Sequence, residues 1–305
     1  SSRKIHFFSD IILLIKYYSI LAKLKPDCII TYTIKPNIYA SIISKLLKIK
    51  TINNITGLGS GFLINSFLTR IIIILYRIAL SKTHHTFFHN YSDQSYFIKN
   101  KIININNSSV VNGSGVNIKK FKFINNNLNN EIRYLYSGRL MREKGIYELA
   151  QAVEYFNLIK SNVKFEICGE IVDSEIKIII NKLNKFDNFK FYGFLEDVRD
   201  RISYCNFMII PSYSEGKSKS MLEGMSVGRP VIASNIPGNN EVIIENKNGF
   251  LFEAKNTKSL IKKINTTMNL TQKELDMLSM NAHKTIVDKF SNEIIFDSYI
   301  DMLKK

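Results

Sequence analysis

Two glutamates, Glu215 and Glu223, stand eight residues apart in the segment PSYSEGKSKSMLEGMSVGRPVIASNIPGNNE, residues 211–241. Carboxylates accept hydrogen bonds from hydroxyl groups, and two of them set across a loop-to-helix junction suit the gripping of a sugar nucleotide. The apolar run at 205–211 predicts a buried strand, Ser214-Glu215-Gly216 a turn, and KSMLEGMSV a short helix that stops at Gly228-Arg229-Pro230 before VIAS resumes as a strand. In such a βαβ unit the helix starts at the carboxyl edge of a parallel sheet, where free N–H groups and the macrodipole attract an anion such as a diphosphate. Glu215 then falls in the crevice and Glu223 a turn or more into the helix, near a ribose. Taken alone, two acids at this spacing also describe a solvated helix, and the flanking Gly238, Pro237 and Glu241 are what sharpen the pattern.

The elements that must hold this segment alternate along the whole chain of 305 residues. Helices are expected at 7–24, 36–48, 62–81 and 91–100, and strands at 27–33, 51–57, 84–90 and 108–115. A polar stretch at 119–131, containing NNNLNN and lacking periodicity, predicts an interdomain linker. Beyond it the alternation restarts, with strands at 134–138, 163–169 and 189–193, helices at 144–159, 174–185 and 196–204, then the βαβ unit. A strand at 249–252 and helices at 257–268, 272–288 and 292–304 close the chain. Strict alternation implies parallel sheets covered by helices, and the length suits two domains, expected at 1–118 and 132–283 with terminal helices at 284–305. About four strands are expected in the first region, fewer than the six of a full doubly wound half.

Composition excludes several classes. Apolar runs such as IILLI and IIIIL are interrupted by Lys16, Arg70 and Arg77, so no spanning helix is expected. Cys28, Cys168 and Cys205 lack metal-binding or CxxC spacing and are expected to be small core residues in a reducing compartment. The net charge is +16, of which +11 falls in residues 1–118, where 14 Lys or Arg face three Asp. AT-rich codon usage accounts for abundant Lys, Asn and Ile but not for the scarcity of acids. The excess points to an anionic membrane surface or a phosphorylated substrate. A basic nucleic-acid-binding protein is disfavoured, since basic and aromatic residues are not interleaved and no helix-turn-helix pattern occurs.

The pattern S-E-G-x5-L-E-G-M-x2-G-R-P-V-I-A-x3-P-G-x2-E resembles the E-x7-E signature of the retaining glycosyltransferases of family 4. SGRLMREKG, residues 137–145, is similar to the family's G-R-L-x3-K-G motif, and TYTIKPNIYAS, NNITGLGSGF, FFHNYSD and VVNGSGVNIKKF resemble successive blocks of its acceptor domain. The resemblance implies the GT-B fold, an α/β architecture of two Rossmann-like doubly wound domains facing across a cleft. The family's opening strand and glycine-rich loop are absent before residue 1, so the first domain is expected to be incomplete. The resemblance assigns Glu215 to the donor sugar and Glu223 to the ribose. Arg139 and Lys144, with Gly138, are placed around the diphosphate, Gly216, Ser218, Pro237, Gly238 and Glu241 around the donor, and Lys35, Asn37 and His89 on the acceptor side.

The implied partners are a UDP-linked sugar and an undecaprenyl-diphosphate-linked acceptor, at the cytoplasmic face of the membrane and in peripheral contact with it. The implied activity is retaining transfer of a hexose or N-acetylhexosamine in surface polysaccharide synthesis, such as O-antigen or capsule. A sugar-nucleotide epimerase of the same architecture is the rival. No Asp-x-Asp occurs, so no metal or other cofactor is expected and positive side chains would do a metal's work. The chain departs from the family with Lys217 and Lys219, the family commonly having an aromatic or aliphatic residue and then Gly at 217 and 218; an extra charge beside the diphosphate is the expected consequence. His89 either serves as a base or caps a strand edge. Gly57-Leu58-Gly59-Ser60-Gly61 mimics a dinucleotide fingerprint but lacks its third glycine and its ribose acid, and is expected to be a turn. The 62–81 helix either packs on the sheet or lies on a membrane surface.

Overall fold

The computed structural model describes residues 7–58, 62 and 67–304. The glycine turn at 59–61 and the stretch 63–66 of the expected 62–81 helix lie outside the described residues. The chain divides into two compact units, one formed by residues up to Gly113 together with those from Asp297, the other by Ser114–Phe296.

The first unit contains α1 (Phe7–Leu24), β1 (Cys28–Tyr32), α2 (Ile34–Leu47), β2 (Lys50–Ile55), α3 (Phe67–Leu80), β3 (His85–Phe88), α4 (Tyr91–Lys99) and β4 (Ser108–Val110). Its four strands are all parallel and lie in the order β1-β2-β3-β4. Parallel strands are buried on both faces and are normally apolar, yet β2 reads KTINNI and its Asn53 and Asn54 are fully buried. They are tolerated because each amide is satisfied: Asn53 donates to the Thr31 and Ser41 hydroxyls at 2.8 and 2.6 Å and accepts from Thr83 at 2.6 Å. On α3, Ile72, Tyr76, Ala79 and Leu80 pack into the core with Phe88 and Phe97, while Phe67, Ile74 and Ile78 are exposed.

The second unit carries β5 (Ile132–Ser137), a 3₁₀ turn (Arg142–Lys144), α5 (Ile146–Leu158), β6 (Val163–Cys168), α6 (Ser174–Leu183), β7 (Phe189–Phe191), α7 (Arg199–Tyr204), β8 (Phe207–Ile210) and α8 (Lys219–Ser226). It continues through β9 (Val231–Ser234), β10 (Gly249–Phe252), α9 (Thr257–Met268) and α10 (Gln272–Lys289) into α11 (Asn292–Lys304), whose end belongs to the first unit. The six parallel strands lie in the order β10-β9-β8-β5-β6-β7. Counted from the first strand of the unit, this is the 3-2-1-4-5-6 order of a Rossmann domain, with the reversal of winding between β5 and β8. Tyr134 of β5 is stacked between Phe165 and Phe207 of the flanking strands, at 5.4 and 5.7 Å between ring centroids.

The segment 119–131 has no helix or strand, and it is fastened to the second unit. The Asn126 side chain donates to the Asn206 carbonyl and accepts from the Asn206 amide, Ile124 N–H bonds the Val227 carbonyl at 3.0 Å, and Leu128 N–H bonds Gln272. Arg229, in the Gly-Arg-Pro stop after α8, has 1 % exposure and donates to four carbonyls. These are Ile202 and Ser203 at 3.1 and 2.8 Å, and Ile124 and Asn125 at 3.1 and 3.4 Å. One guanidinium thus joins α7 to the polar segment, at the expense of a burial that pulls its pKa down from the usual value. Arg229→Met leaves four carbonyls without their donor, that of Ile202 in a buried setting, and is expected to lower stability by about 1–3 kcal/mol, read by urea denaturation; a loss under about 0.5 kcal/mol would contradict the role given to Arg229.

Candidate active site

The carboxyl ends of β5 and β8 are neighbours because Tyr134 pairs with Phe207 and Leu135 with Met208. The loops leaving these two strands therefore meet. After β5 come Gly138 and the exposed Arg139, whose carbonyl accepts a 2.8 Å bond from the Tyr136 hydroxyl. The 3₁₀ turn then presents Lys144, and Gly145 starts α5 with φ 70°. A side chain at Gly145 would begin 2.0 Å from the Pro211 carbonyl oxygen, so only glycine lets the turn close against the end of β8.

After β8, Ser212 Oγ donates to Glu215 Oε1 at 2.8 Å, and the same oxygen takes an ion pair from Lys144 Nζ. Both charged side chains are mostly shielded, at 23 % and 15 % exposure, so their attraction is screened less than at a surface. Burial, with the neighbouring Glu215 adding to it, drives the Tyr136 hydroxyl far above its ordinary pKa and keeps it neutral. Ser218 caps α8, its Oγ accepting from Met221 N–H at 3.5 Å and lying 3.2 Å from Ser220 Oγ.

Glu223, one turn into α8, is in a different environment. Its side chain is 13 % exposed, its Oε1 lies 3.9 Å from Lys219 Nζ, and burial raises its pKa while Lys219 and Lys120 pull it back. Two acids eight residues apart thus differ: Glu215 is held by an ion pair, and Glu223 is destabilised as a carboxylate by desolvation.

The loop after β9 completes the constellation. Gly238 has φ 89°, and a Cβ there would sit 2.1 Å from the Gly216 carbonyl oxygen and 2.6 Å from that of Glu215. Pro237 is exposed beside it, and Asn239 donates to the Ser234 carbonyl at 3.1 Å. Glu241 pairs with Lys217 at 2.8 Å, and the Lys217 side chain is only 1 % exposed. The extra lysine is therefore turned inward to Glu241. Sequence reasoning misses Ser212 and Tyr136; Ser212 lies in the quoted motif, but its bond to Glu215 depends on how tightly the β8 loop turns.

Gly138, Arg139, Lys144, Glu215, Gly216, Ser218, Glu223, Pro237, Gly238 and Glu241 all belong to the second unit. The three acceptor-side candidates lie in the first. Lys35 pairs with Asp10 at 2.7 Å; Asn37, 1 % exposed, donates to the Asn54 carbonyl at 2.7 Å and accepts from Thr31 at 2.6 Å. His89 follows β3, is 4 % exposed, and its N–H bonds the Ile55 carbonyl at 3.1 Å. Among the described residues no cluster of three or more His, Cys, Asp or Glu is arranged to hold a metal ion, and no helix is long and apolar enough to cross a membrane.

Two Rossmann-like α/β units with parallel sheets define the class, the GT-B fold of glycosyltransferases. The structure matches Anabaena HepE, solved with UDP and glucose, with a TM-score of 0.81 over 96% of this chain and 81% of that one, at 19% identity. Residues 117–285 match the family of glycosyl transferases group 1. The chain belongs to that family. Among curated relatives, the Staphylococcus aureus capsular polysaccharide biosynthesis glycosyltransferase CapM is 28% identical over 233 residues, 67% of this chain and 58% of the relative. The Escherichia coli UDP-Gal:alpha-D-GlcNAc-diphosphoundecaprenol alpha-1,3-galactosyltransferase is 27% identical over 326 residues, spanning 99% of this chain and 82% of the relative.

The raised pKa of Glu223 has a consequence for stability. The folded protein binds this proton more tightly than the unfolded chain, so ionising Glu223 weakens folding, and stability is regained as pH falls through its folded pKa. Glu223→Gln is expected to melt higher than the unaltered protein at pH 7, with the gap closing below about pH 4.3, where glutamate is protonated in both states. A variant melting lower at pH 7 would contradict the environment described for Glu223.

Proposed function

We propose that this chain transfers a hexose or N-acetylhexosamine from a UDP-sugar to a lipid-diphosphate-linked saccharide, with retention at the anomeric carbon and without a metal ion. The observation that carries it is the Lys144–Glu215 pair at the β5–β8 switch point. It sets a cation and an anion side by side where a Rossmann domain receives diphosphate. Arg139 as a fork and Lys144 as a point charge hold the diphosphate, Glu215 faces the sugar, and Glu223 accepts from the ribose hydroxyls. Gly138, Gly216, Ser218, Pro237, Gly238 and Glu241 line the donor. A donor diphosphate competes with Glu215 for the Lys144 ammonium, which leaves the carboxylate available to the sugar.

The names of the relatives support the donor and acceptor class: the Escherichia coli enzyme takes a UDP-sugar to a diphosphoundecaprenol-linked saccharide, and the Staphylococcus aureus enzyme serves capsule synthesis. On this basis the acceptor is an undecaprenyl-diphosphate-linked sugar in bacterial surface polysaccharide synthesis, reached by peripheral contact with the inner face of the cytoplasmic membrane. Lys35, Asn37 and His89 are the acceptor-side candidates, and no nucleic acid partner is required.

Glu223→Ala is expected to lose the ribose contact and with it about 1.5–3 kcal/mol of UDP affinity, roughly a 10- to 100-fold rise in Kd by calorimetry. Unchanged affinity would remove the ribose role. Lys144→Ala is expected to slow transfer by roughly 10²–10³-fold. Transfer should persist in excess EDTA; strict dependence on added Mg²⁺ or Mn²⁺ would overturn the metal-free mechanism.

A further inference from the structure

The Lys217–Glu241 pair has a property that the donor site does not by itself require. Lys217 lies two residues after Glu215, and its side chain is almost completely buried, while Glu241 keeps 22 % exposure. Lysine is among the residues least often buried, and removing one member of a buried pair leaves an uncompensated charge. A pair of apolar side chains of similar volume would usually hold two loops together as well or better. Stability is therefore a poor account of why a lysine stands here.

The neighbouring contacts show what the pair joins. The loop after β8 and the loop after β9 touch through the Ser234 hydroxyl, which donates to the Ser212 carbonyl, and through Gly238, packed on the Glu215 and Gly216 carbonyls. These bonds are made by backbone and by a small hydroxyl, and they leave the direction of the Glu241 side chain open. The ion pair at 2.8 Å gives it a direction: one carboxylate oxygen is drawn to a buried ammonium that stands two residues after Glu215.

Resting on the donor-site reading above, we propose that Lys217 is a positioning residue that fixes the Glu241 carboxylate at the sugar end of the site. There Glu241 accepts a hydrogen bond from a hydroxyl of the transferred sugar beside Glu215. Lys217 is spent on Glu241 and Lys144 turns to the diphosphate, so this end of the site presents acceptors to the sugar. With Lys144 drawn to the diphosphate, it suits a neutral hexose or N-acetylhexosamine and disfavours a uronic acid, whose carboxylate would meet those of Glu215 and Glu241.

The test uses the full chain and four probes: UDP, UDP-galactose, UDP-N-acetylglucosamine and UDP-glucuronic acid. Binding of UDP is read by calorimetry, and release of UDP from each sugar nucleotide by a coupled assay without acceptor. Lys217→Met is expected to leave the Kd for UDP within about threefold while lowering kcat for the preferred neutral donor about 10- to 100-fold, the effect of a misplaced orienting group. The double variant Lys217→Met/Glu241→Leu removes both charges, so it should melt close to the unaltered protein and still turn over as slowly as the single variant. Full recovery of kcat in the double variant would show a purely structural pair and overturn the proposal, as would UDP-glucuronic acid being the best donor. Loss of UDP affinity in parallel with kcat would place Lys217 at the nucleotide and overturn it too. If the unaltered protein binds no UDP, the donor-site reading fails first, and the positioning role fails with it.

Discussion

The site depends on a reversal in the winding of one sheet. β5 begins its unit and β8 is the fourth strand of it, yet Tyr134 and Leu135 of β5 are hydrogen-bonded neighbours of Phe207 and Met208. On either side of that seam the sheet is wound in opposite directions, and the carboxyl end of such a switch point is where doubly wound sheets leave a crevice for a ligand. Lys144 and Glu215, separated by 71 residues of sequence, become an ion pair only because of this adjacency. The close fit at Gly145 against Pro211 shows how tightly the two loops are then drawn together.

Within that crevice the shielded charges come in pairs, with one instructive exception. Lys144 faces Glu215, and Lys217 faces Glu241, each pair combining a shielded cation with a shielded acid. Glu223 instead has a partner 3.9 Å away on an exposed lysine, which only partly offsets its desolvation. A carboxylate that is costly to keep ionised gains most when hydrogen-bond donors arrive. This is the expected trade between stability and binding at a ligand site.

Much of this order was legible in the sequence. Helices at 257–268 and 292–304 and strands at VIAS and GFLF fall where apolar periodicity and Gly or Pro punctuation put them. The two glutamates lie on either side of a strand-to-helix junction as the 205–227 pattern implies. Strand ends were less readable: the stretch expected at 84–90 is a strand only over His85–Phe88, its far end set by where β2 and β4 stop at Ile55 and Val110, which local sequence does not encode. The polar run at 119–131 looks like free linker by composition, but Asn206, Gln272 and Arg229 give its backbone partners supplied from far along the chain. The Lys217 side chain was equally opaque. A lysine after a turn normally reaches solvent, and only the approach of the β9 loop encloses this one.

Hydrogen–deuterium exchange with and without saturating UDP tests most directly that the β5–β8 seam is the donor site. Protection is predicted in peptides covering 138–145, 212–224 and 236–241, with the amino ends of the same strands unchanged. Binding of UDP that protects none of those three segments, or no binding at all, would contradict the account.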